Sequence, residues 1–473
     1  MARGGALSLA RLLSGVVRVK ILALSLGVGG VGVYALLLQL YATGVAIASM
    51  SLAIPIINLG RPSIVAGDHA EAGRVAGTAL AVVAVNAALL VLVAAGLGEE
   101  LLDYLDISDQ ARGLVWPIAL AIMFGAFAGA FWEGLSFLCD RFDTYVRVGI
   151  IGSVAETLFV AAAAWTYGLR GAIIAMPLGS AALVLAYALL MRRDPTAREV
   201  LGRLSVRLSY LPRLFAYSAM MFATVALTNA GLTLMRSRVL VEAGAAANGY
   251  LQTATALSSY ILAFVMTGFW GHLHARAAAE GDTPAVRAEL ARSLELGMLI
   301  AFAGCGAAAV LAPFLIPLFY SSQFGGGVAM TIAYMPGEFC FQLLSMLIAY
   351  QLTINRRRLY LALNLGYVGL LAGLGFLLIP ALGAFGYVAA HVAASLAMVA
   401  AAAAIAWRTG QVTAGIGARA LALLIVLAAV CAALFAGRGA GQPLWVIALA
   451  FLPFALGGCL VLYRLLRPSP ATA

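Results

Sequence analysis

The feature that most limits what this chain can become is its succession of long apolar runs. A helix that crosses a bilayer needs about 20 apolar residues, because hydrocarbon offers the backbone no hydrogen-bond partners. Fourteen such runs can be read between charges, Gly/Pro clusters and polar loops, at approximately 6–26, 31–57, 75–97, 113–134, 146–167, 171–191, 213–235, 246–271, 294–318, 327–352, 359–380, 384–407, 418–437 and 443–463. Only 10% of the 473 residues are charged, where a soluble domain carries about 25%. The expected class is therefore an all-α polytopic membrane protein. The first run leads directly into the second, so it is read as a retained helix rather than a cleaved leader.

Charge sets the expected orientation. With the N-terminus inside, 22 of the basic residues fall on the cytoplasmic side, among them Arg61, Arg141, Arg192, Arg193, Arg356, Arg357 and Arg358. Five fall outside, namely Arg112, Arg170, Arg236, Arg238 and Arg438. This is the positive-inside bias, and an even helix count places both termini in the cytoplasm. The net charge of +10 is thus a topological signal. The arginines are scattered over loops instead of gathered on one face, which argues against nucleic-acid binding. The cysteines Cys139, Cys305, Cys340, Cys431 and Cys459 lie in or beside apolar segments and form no CxxC pair, so they read as small packing residues.

Two connections stand out. The loop 98–112, GEELLDYLDISDQAR, is acidic and falls outside, where a solvated face is the simplest role. The segment 192–213 places Val200, Leu204 and Leu208 at helical spacing with Arg203 and Arg207 opposite, which predicts an amphipathic helix on the anionic inner leaflet. It would join two halves that read as repeats. A shift of 216 carries Lys20 to Arg236, Tyr34 to Tyr250 and Met50 to Met266, and a shift of 215 carries Gly168 and Gly171 to Gly383 and Gly386. The expected organisation is an N-terminal lobe (1–191), a cytoplasmic linker (192–212), a C-terminal lobe (213–408) and two further helices with a tail (409–473). Six helices per repeat keep the orientation, so the lobes would be parallel repeats with a binding site between them.

Several stretches together resemble the multidrug/oligosaccharidyl-lipid/polysaccharide exporter superfamily, and within it the polysaccharide transporter branch of O-antigen and exopolysaccharide flippases. They are LALSLGVGGVGVYALLLQL (22–40), FQLLSMLIAYQLTINRRRLYLALNLG (341–366) and LIPALGAFGYVAAHVAAS (378–395). The resemblance spans nearly the whole chain as a pattern of glycines and hydropathy. It implies two six-helix lobes, a central cavity, alternating access, and cavity cations for the diphosphate of a lipid-linked sugar. SMSLAIPIINLG (49–60) departs from the branch, which more often has a glycine pair and a charged end there.

The cations singled out are Arg18, Lys20, Arg236 and Arg238. A cation at bilayer depth costs roughly 2.5–3.5 kcal/mol on insertion scales, so it faces a partner or a wet cavity. Arg11 and Arg18 lie seven residues apart on one helix face. Arginine grips phosphate through a planar fork and lysine as a point charge. As repeat equivalents, Lys20 and Arg236 would face each other; the alternative for Arg236 and Arg238 is snorkelling to the surface. Tyr34, Tyr41, Gln39, Tyr250, Gln252 and Thr253 are candidates for sugar hydroxyls, with interfacial anchoring the alternative for the tyrosines. Glu133, Glu156 and Glu338 are intramembrane acids that read either as proton or sodium coupling sites or as counter-ions of buried arginines; Glu295 reads as interfacial and His391 as a hydrogen-bonded packing residue. No cofactor is expected beyond a coupling H+ or Na+, and no metal site.

The functional expectation is a flippase, not an enzyme, moving an undecaprenyl-diphosphate-linked oligosaccharide repeat unit across a bacterial cytoplasmic membrane, with anionic lipids and a polysaccharide polymerase as further partners. No HExxH, DxD or P-loop pattern is present, and no loop is large enough to house glycosyl-transfer chemistry. Two other transport readings stay open: a lipid II-type flippase of peptidoglycan synthesis and a cation-coupled multidrug exporter. The cation-rich, acid-free first helix favours an anionic cargo over a cationic drug.

Overall fold

The computed structural model describes residues 2–105, 107, 113–269, 273, 277, 280–437, 450, 452–457 and 460. Most of the expected run 443–463 lies outside these residues, as do Asp106, Asp109, Arg112, Arg438 and Cys459.

The described chain is helical: α1 (Ala2–Ser49), α2 (Ala53–Val65), α3 (His69–Tyr104), α4 (Val115–Ala126), α5 (Glu133–Leu138), α6 (Phe142–Met191), α7 (Pro195–Gly202), α8 (Leu211–Phe269), α9 (Pro284–Phe319), α10 (Gly326–Thr353), α11 (Arg357–Leu382), α12 (Ala384–Arg408) and α13 (Ala414–Ala436). A π-helical turn, Phe127–Trp132, joins α4 to α5. Among the described residues, ten helical stretches are long and apolar enough to cross a membrane. This is a multi-pass membrane protein. The described residues bear out the helical class and do not give the full set of fourteen.

Three glycines explain how fewer helical stretches accommodate more apolar runs, and a fourth shares their backbone geometry between two separate helices. Gly27 (φ 66°, ψ −174°), Gly168 (φ 61°, ψ −145°) and Gly244 (φ 82°, ψ 169°) break α1, α6 and α8 internally, and Gly383 (φ 58°, ψ −137°) separates α11 from α12. This backbone region is essentially closed to residues with a Cβ. At Gly168 the two arms fold back on one another: a Cβ on Gly152 would collide with Leu183, one on Gly171 with the Ala163 carbonyl, and one on Gly179 would sit 3.0 Å from Glu156 Cγ.

The chain divides into two compact units, Met1–Val241 and Glu242–Ala473. The core of the first gathers Leu52 and Ile56, Val75 and Ala79 of α3, Leu135 and Leu138 of α5, and Val200 of α7. Three sequence expectations need correction here. The run 31–57 is not one helix: Met50 (φ 46°) and Ser51 (φ 53°) turn the chain between α1 and α2. The acidic stretch 98–112 is not all loop, because α3 continues to Tyr104 and carries Glu99, Glu100 and Asp103 on its last turns. The amphipathic helix ends at Gly202. Asp194 caps it by accepting from the Ala197 N–H at 2.9 Å and pairs with Arg141. Beyond it the chain lies against the small face of α3, where Arg207 N–H donates to Thr78 Oγ1 at 3.0 Å. A Cβ on Gly73 would stand 2.6 Å from the Arg203 carbonyl oxygen. Backbone docking on glycines therefore replaces the second half of the expected helix, and Leu208 is left 70% exposed.

In the second unit α10 is enclosed on nearly all sides. The ends of its helices are tied by Asp282, in the link before α9. Its carboxylate accepts from Arg287 Nε at 2.9 Å, Tyr350 Oη at 2.8 Å and Arg356 Nη2 at 3.0 Å. Gln351 donates to Gln411 at 2.9 Å beside it.

Candidate functional site

In the first unit, α1 before Gly27 and α6 before Gly168 run in the same direction. Successive contacts keep a nearly constant offset: Arg11 meets Gly149, Thr157 Oγ1 donates to the Ser14 carbonyl at 3.1 Å, and Arg18 pairs with Glu156. The approach depends on absent side chains, since a Cβ on Gly149 would lie 2.6 Å from Leu7 Cδ1.

Between these helices lies a polar hollow of about 290 Å³ lined by Arg11, Ser14, Arg18, Ser153, Glu156 and Thr157, with Gly15, Gly149, Gly152 and Leu183. The lining follows two helical stripes, 11–14–15–18 on α1 and 149–152–153–156–157 on α6. The shared face of Arg11 and Arg18 is thus the face that meets the hollow. Arg11 also lies over the Tyr145 ring, 5.9 Å from its centroid, a cation–π arrangement. The Arg18 and Glu156 side chains are 21% and 33% exposed. The pair is only partly buried and borders the hollow. Chemically the hollow offers two guanidinium forks, three hydroxyls and one carboxylate, a donor set suited to an anionic oxygen cluster.

The other expected site residues are distributed as follows. Lys20 is half-buried and is not part of this lining. Tyr34 is 4% exposed, and its hydroxyl has no hydrogen-bond partner among the described residues. Gln39 donates to Asn229 Oδ1 at 3.0 Å, and the Tyr41 hydroxyl lies 3.3 Å from that of Ser180. Arg236 is buried and Arg238 half-buried on α8, where Ser237 donates to the Leu105 carbonyl at 3.4 Å. Glu133 is half-buried at the start of α5. Ser14, Ser153 and Thr157 were not anticipated, although their spacing from Arg11, Arg18 and Glu156 is helical.

Tyr250, Gln252 and Glu338 belong to the second unit. Tyr250 packs where a Cβ on Gly326 would lie, 2.7 Å away. The Gln252 backbone carbonyl accepts from the Tyr320 hydroxyl at 3.4 Å, and Thr253 shares a 3.4 Å contact with Thr331. Glu338 anchors a buried polar cluster. One carboxylate oxygen accepts from Gln342 Nε2, and the other lies 3.7 Å from His391 Nε2. His391 Nδ1 meets the Tyr367 hydroxyl at 2.9 Å, and the Tyr334 ring stacks on the imidazole at 4.2 Å between centroids. The absence of a side chain at Gly337 admits the imidazole, because a Cβ there would be 2.9 Å from His391 Cδ2. His391 is packed and hydrogen-bonded, as expected, and it faces an acid besides. Glu295 pairs with Arg419.

No family model and no curated protein sequence matches the chain. Its fold does match solved transporters. One is an inward-facing multidrug resistance MATE family transporter of the MOP superfamily (TM-score 0.68, 14% identity, 88% of this chain and 95% of that one). Another is the lipid II flippase MurJ in an inward closed conformation (TM-score 0.67, 14% identity, 98% of this chain and 100% of that one). A third is the MATE multidrug transporter DinF-BH (TM-score 0.59, 17% identity, 85% of this chain and 94% of that one). At these identities the likeness establishes the fold.

Proposed function

We propose that this chain is a flippase of the multidrug/oligosaccharidyl-lipid/polysaccharide superfamily that carries a lipid-diphosphate-linked oligosaccharide across a bacterial cytoplasmic membrane by alternating access. The observation that carries this reading is the polar hollow that holds both Arg11 and Arg18. A pair of guanidinium forks in a membrane-spanning helix suits a diphosphate and repels a cationic drug. Lys20, Arg236 and Arg238 supply further positive charge along the path, and Tyr34, Gln39, Tyr250 and Gln252 supply hydrogen bonds for sugar hydroxyls.

The Arg18–Glu156 pair gives the reading a cycle. Without cargo, Glu156 neutralises Arg18. An arriving diphosphate competes for the guanidinium, and Glu156 is then released to take up a proton or a sodium ion. When the cargo leaves on the other side, the pair re-forms. The carboxylate thus couples an ion to the anion, with Glu338 and Glu133 as secondary candidates. The two lobes, 1–191 and 213–408, would rock about the linker, with both termini cytoplasmic. Their repeat relation is supported by the glycine breaks, which recur with similar backbone angles at Gly27 and Gly244 and at Gly168 and Gly383.

A second reading, a lipid II flippase, is favoured by one observation: the likeness to MurJ runs over 98% of this chain. Both cargoes present a diphosphate, so the same cations serve either. Proteoliposomes separate the cases. The expected result is transbilayer movement of a labelled undecaprenyl-diphosphate oligosaccharide, slower movement of lipid II, and none of a cationic dye. Faster lipid II movement selects the second reading, and dye transport alone contradicts both.

A further inference from the structure

Another concavity of the first unit lies where its membrane helices meet the linker. It encloses about 660 Å³ between α3, the π-helical turn, α6 and α7. One wall is aromatic, made by Phe127, Phe131 and Trp132 of the turn. A π turn is wound wider than an α turn, so residues four and five apart share a face, and all three rings reach the same space. Leu80 and Leu201 stand beside them. Phe131 belongs to the buried core of the unit, and the other four pack against that core. The Trp132 ring also lies parallel to that of Tyr187, 6.5 Å between centroids. The apolar part of the pocket is therefore preformed.

The exposed part of the same lining is cationic. Arg192, the cap residue of α6, and Arg198 of α7 both line the pocket, and no acidic residue does. On α7 the lining face runs from Arg198 to Leu201 and Gly202, at i+3 and i+4. Both arginines are exposed, and among the described residues neither side chain has an ion pair or a hydrogen bond. The acids of this region are engaged elsewhere. Asp194 caps α7 and pairs with Arg141, Glu199 meets His69 at 2.7 Å, and Glu71 pairs with Arg74 at 2.8 Å. Two guanidinium forks thus border an apolar pocket that holds no counter-charge for them. Unlike the Arg11–Arg18 hollow, this lining has no hydroxyl, side-chain amide or carboxylate. It offers little to the sugars of a glycosylated lipid. It does offer forks for a phosphate and an apolar wall for an acyl chain.

We infer that this pocket binds an anionic glycerophospholipid, with its phosphate between Arg192 and Arg198 and one acyl chain against Phe127 and Phe131. The site is separate from the Arg11–Arg18 hollow and does not rest on the flipping reading. The test is native mass spectrometry of the full chain in neutral detergent, with phosphatidylglycerol and phosphatidylcholine of identical acyl chains. Two arginines beside a net negative head group predict retention of phosphatidylglycerol on the order of tenfold tighter than phosphatidylcholine. The double variant Arg192→Gln with Arg198→Gln changes only exposed side chains and should remove that preference, whereas Arg18→Ala should keep it. Gly202 lines the pocket, and a Cβ on it would meet nothing within 4 Å. Gly202→Phe should therefore fill the space and weaken retention of both lipids. Glycerol 3-phosphate, a head group without a chain, should displace neither. Equal retention of the two lipids, a preference that survives the double variant or is lost in Arg18→Ala, retention unchanged by Gly202→Phe, or displacement by glycerol 3-phosphate would overturn the assignment.

Discussion

Glu156 and Glu338 are both carboxylates set in apolar helices, yet their surroundings differ in kind. Glu156 has a full positive charge beside it and keeps 33% of its side chain exposed in a hollow bordered by hydroxyls. Glu338 is 1% exposed, bonded to an amide and separated from a histidine by 3.7 Å. A charge that water can reach can change partners during a transport cycle. A charge in a packed cluster is held by neighbours that must all move with it. On the proposed function, exchange would belong first to Glu156 of the first unit and only secondarily to the packed Glu338 of the second.

The largest expected effect tests that assignment at the cation. Arg18→Ala should abolish flipping in proteoliposomes while protein remains in the membrane. The exchanged double variant Arg18→Glu with Glu156→Arg should restore folded yield without restoring flipping, because the pair returns but α1 no longer carries two forks side by side. Recovery of flipping by the exchange would mean that the pair is structural only. Next come the two acids. Glu156→Gln should leave flipping insensitive to an imposed pH or sodium gradient, whereas Glu338→Gln should keep the gradient dependence. The opposite pattern would move coupling to the second unit and reverse the comparison.

Smaller effects sharpen the repeat relation. Gly168→Ala and Gly383→Ala should each destabilise by about 1–3 kcal/mol, the cost of forcing a Cβ into that backbone region, measured as a lower denaturation midpoint. A loss at one glycine only would weaken the equivalence. The smallest effect concerns Asp282. Burial pushes its carboxyl up, but hydrogen bonds from Arg287 and Tyr350 and the Arg287 charge outweigh burial and hold it below the ordinary aspartate value. Its folded value therefore lies under the unfolded one of about 3.9. Its stabilisation is fully present above that pH and fades as pH falls through the folded value. Asp282→Asn should flatten this acid limb of the stability profile, and an unchanged limb would show that other carboxylates set it.

The parts legible in the sequence were those written in local periodicity. The apolar runs located the helices, the seven-residue spacing placed Arg11 and Arg18 on one face, and the repeat-related glycines Gly168 and Gly383 fall where the chain breaks between helical arms. What escaped was written in contacts between distant segments. Nothing in the order of residues joins Arg18 to Glu156, which meet because Gly149 lets α6 approach α1. The second half of the linker helix was lost because Gly73 and Gly77 of α3 offer a surface for extended backbone. Nothing in the local sequence marks Asp282 as the point where Arg287, Tyr350 and Arg356 converge.

The most direct measurement is the affinity of undecaprenyl diphosphate, without any sugar, for the purified wild-type chain and for Arg18→Ala. Loss of a charge-assisted phosphate contact predicts binding weakened on the order of 10- to 100-fold. Equal affinity in the two proteins would contradict the placement of the diphosphate in the Arg11–Arg18 hollow.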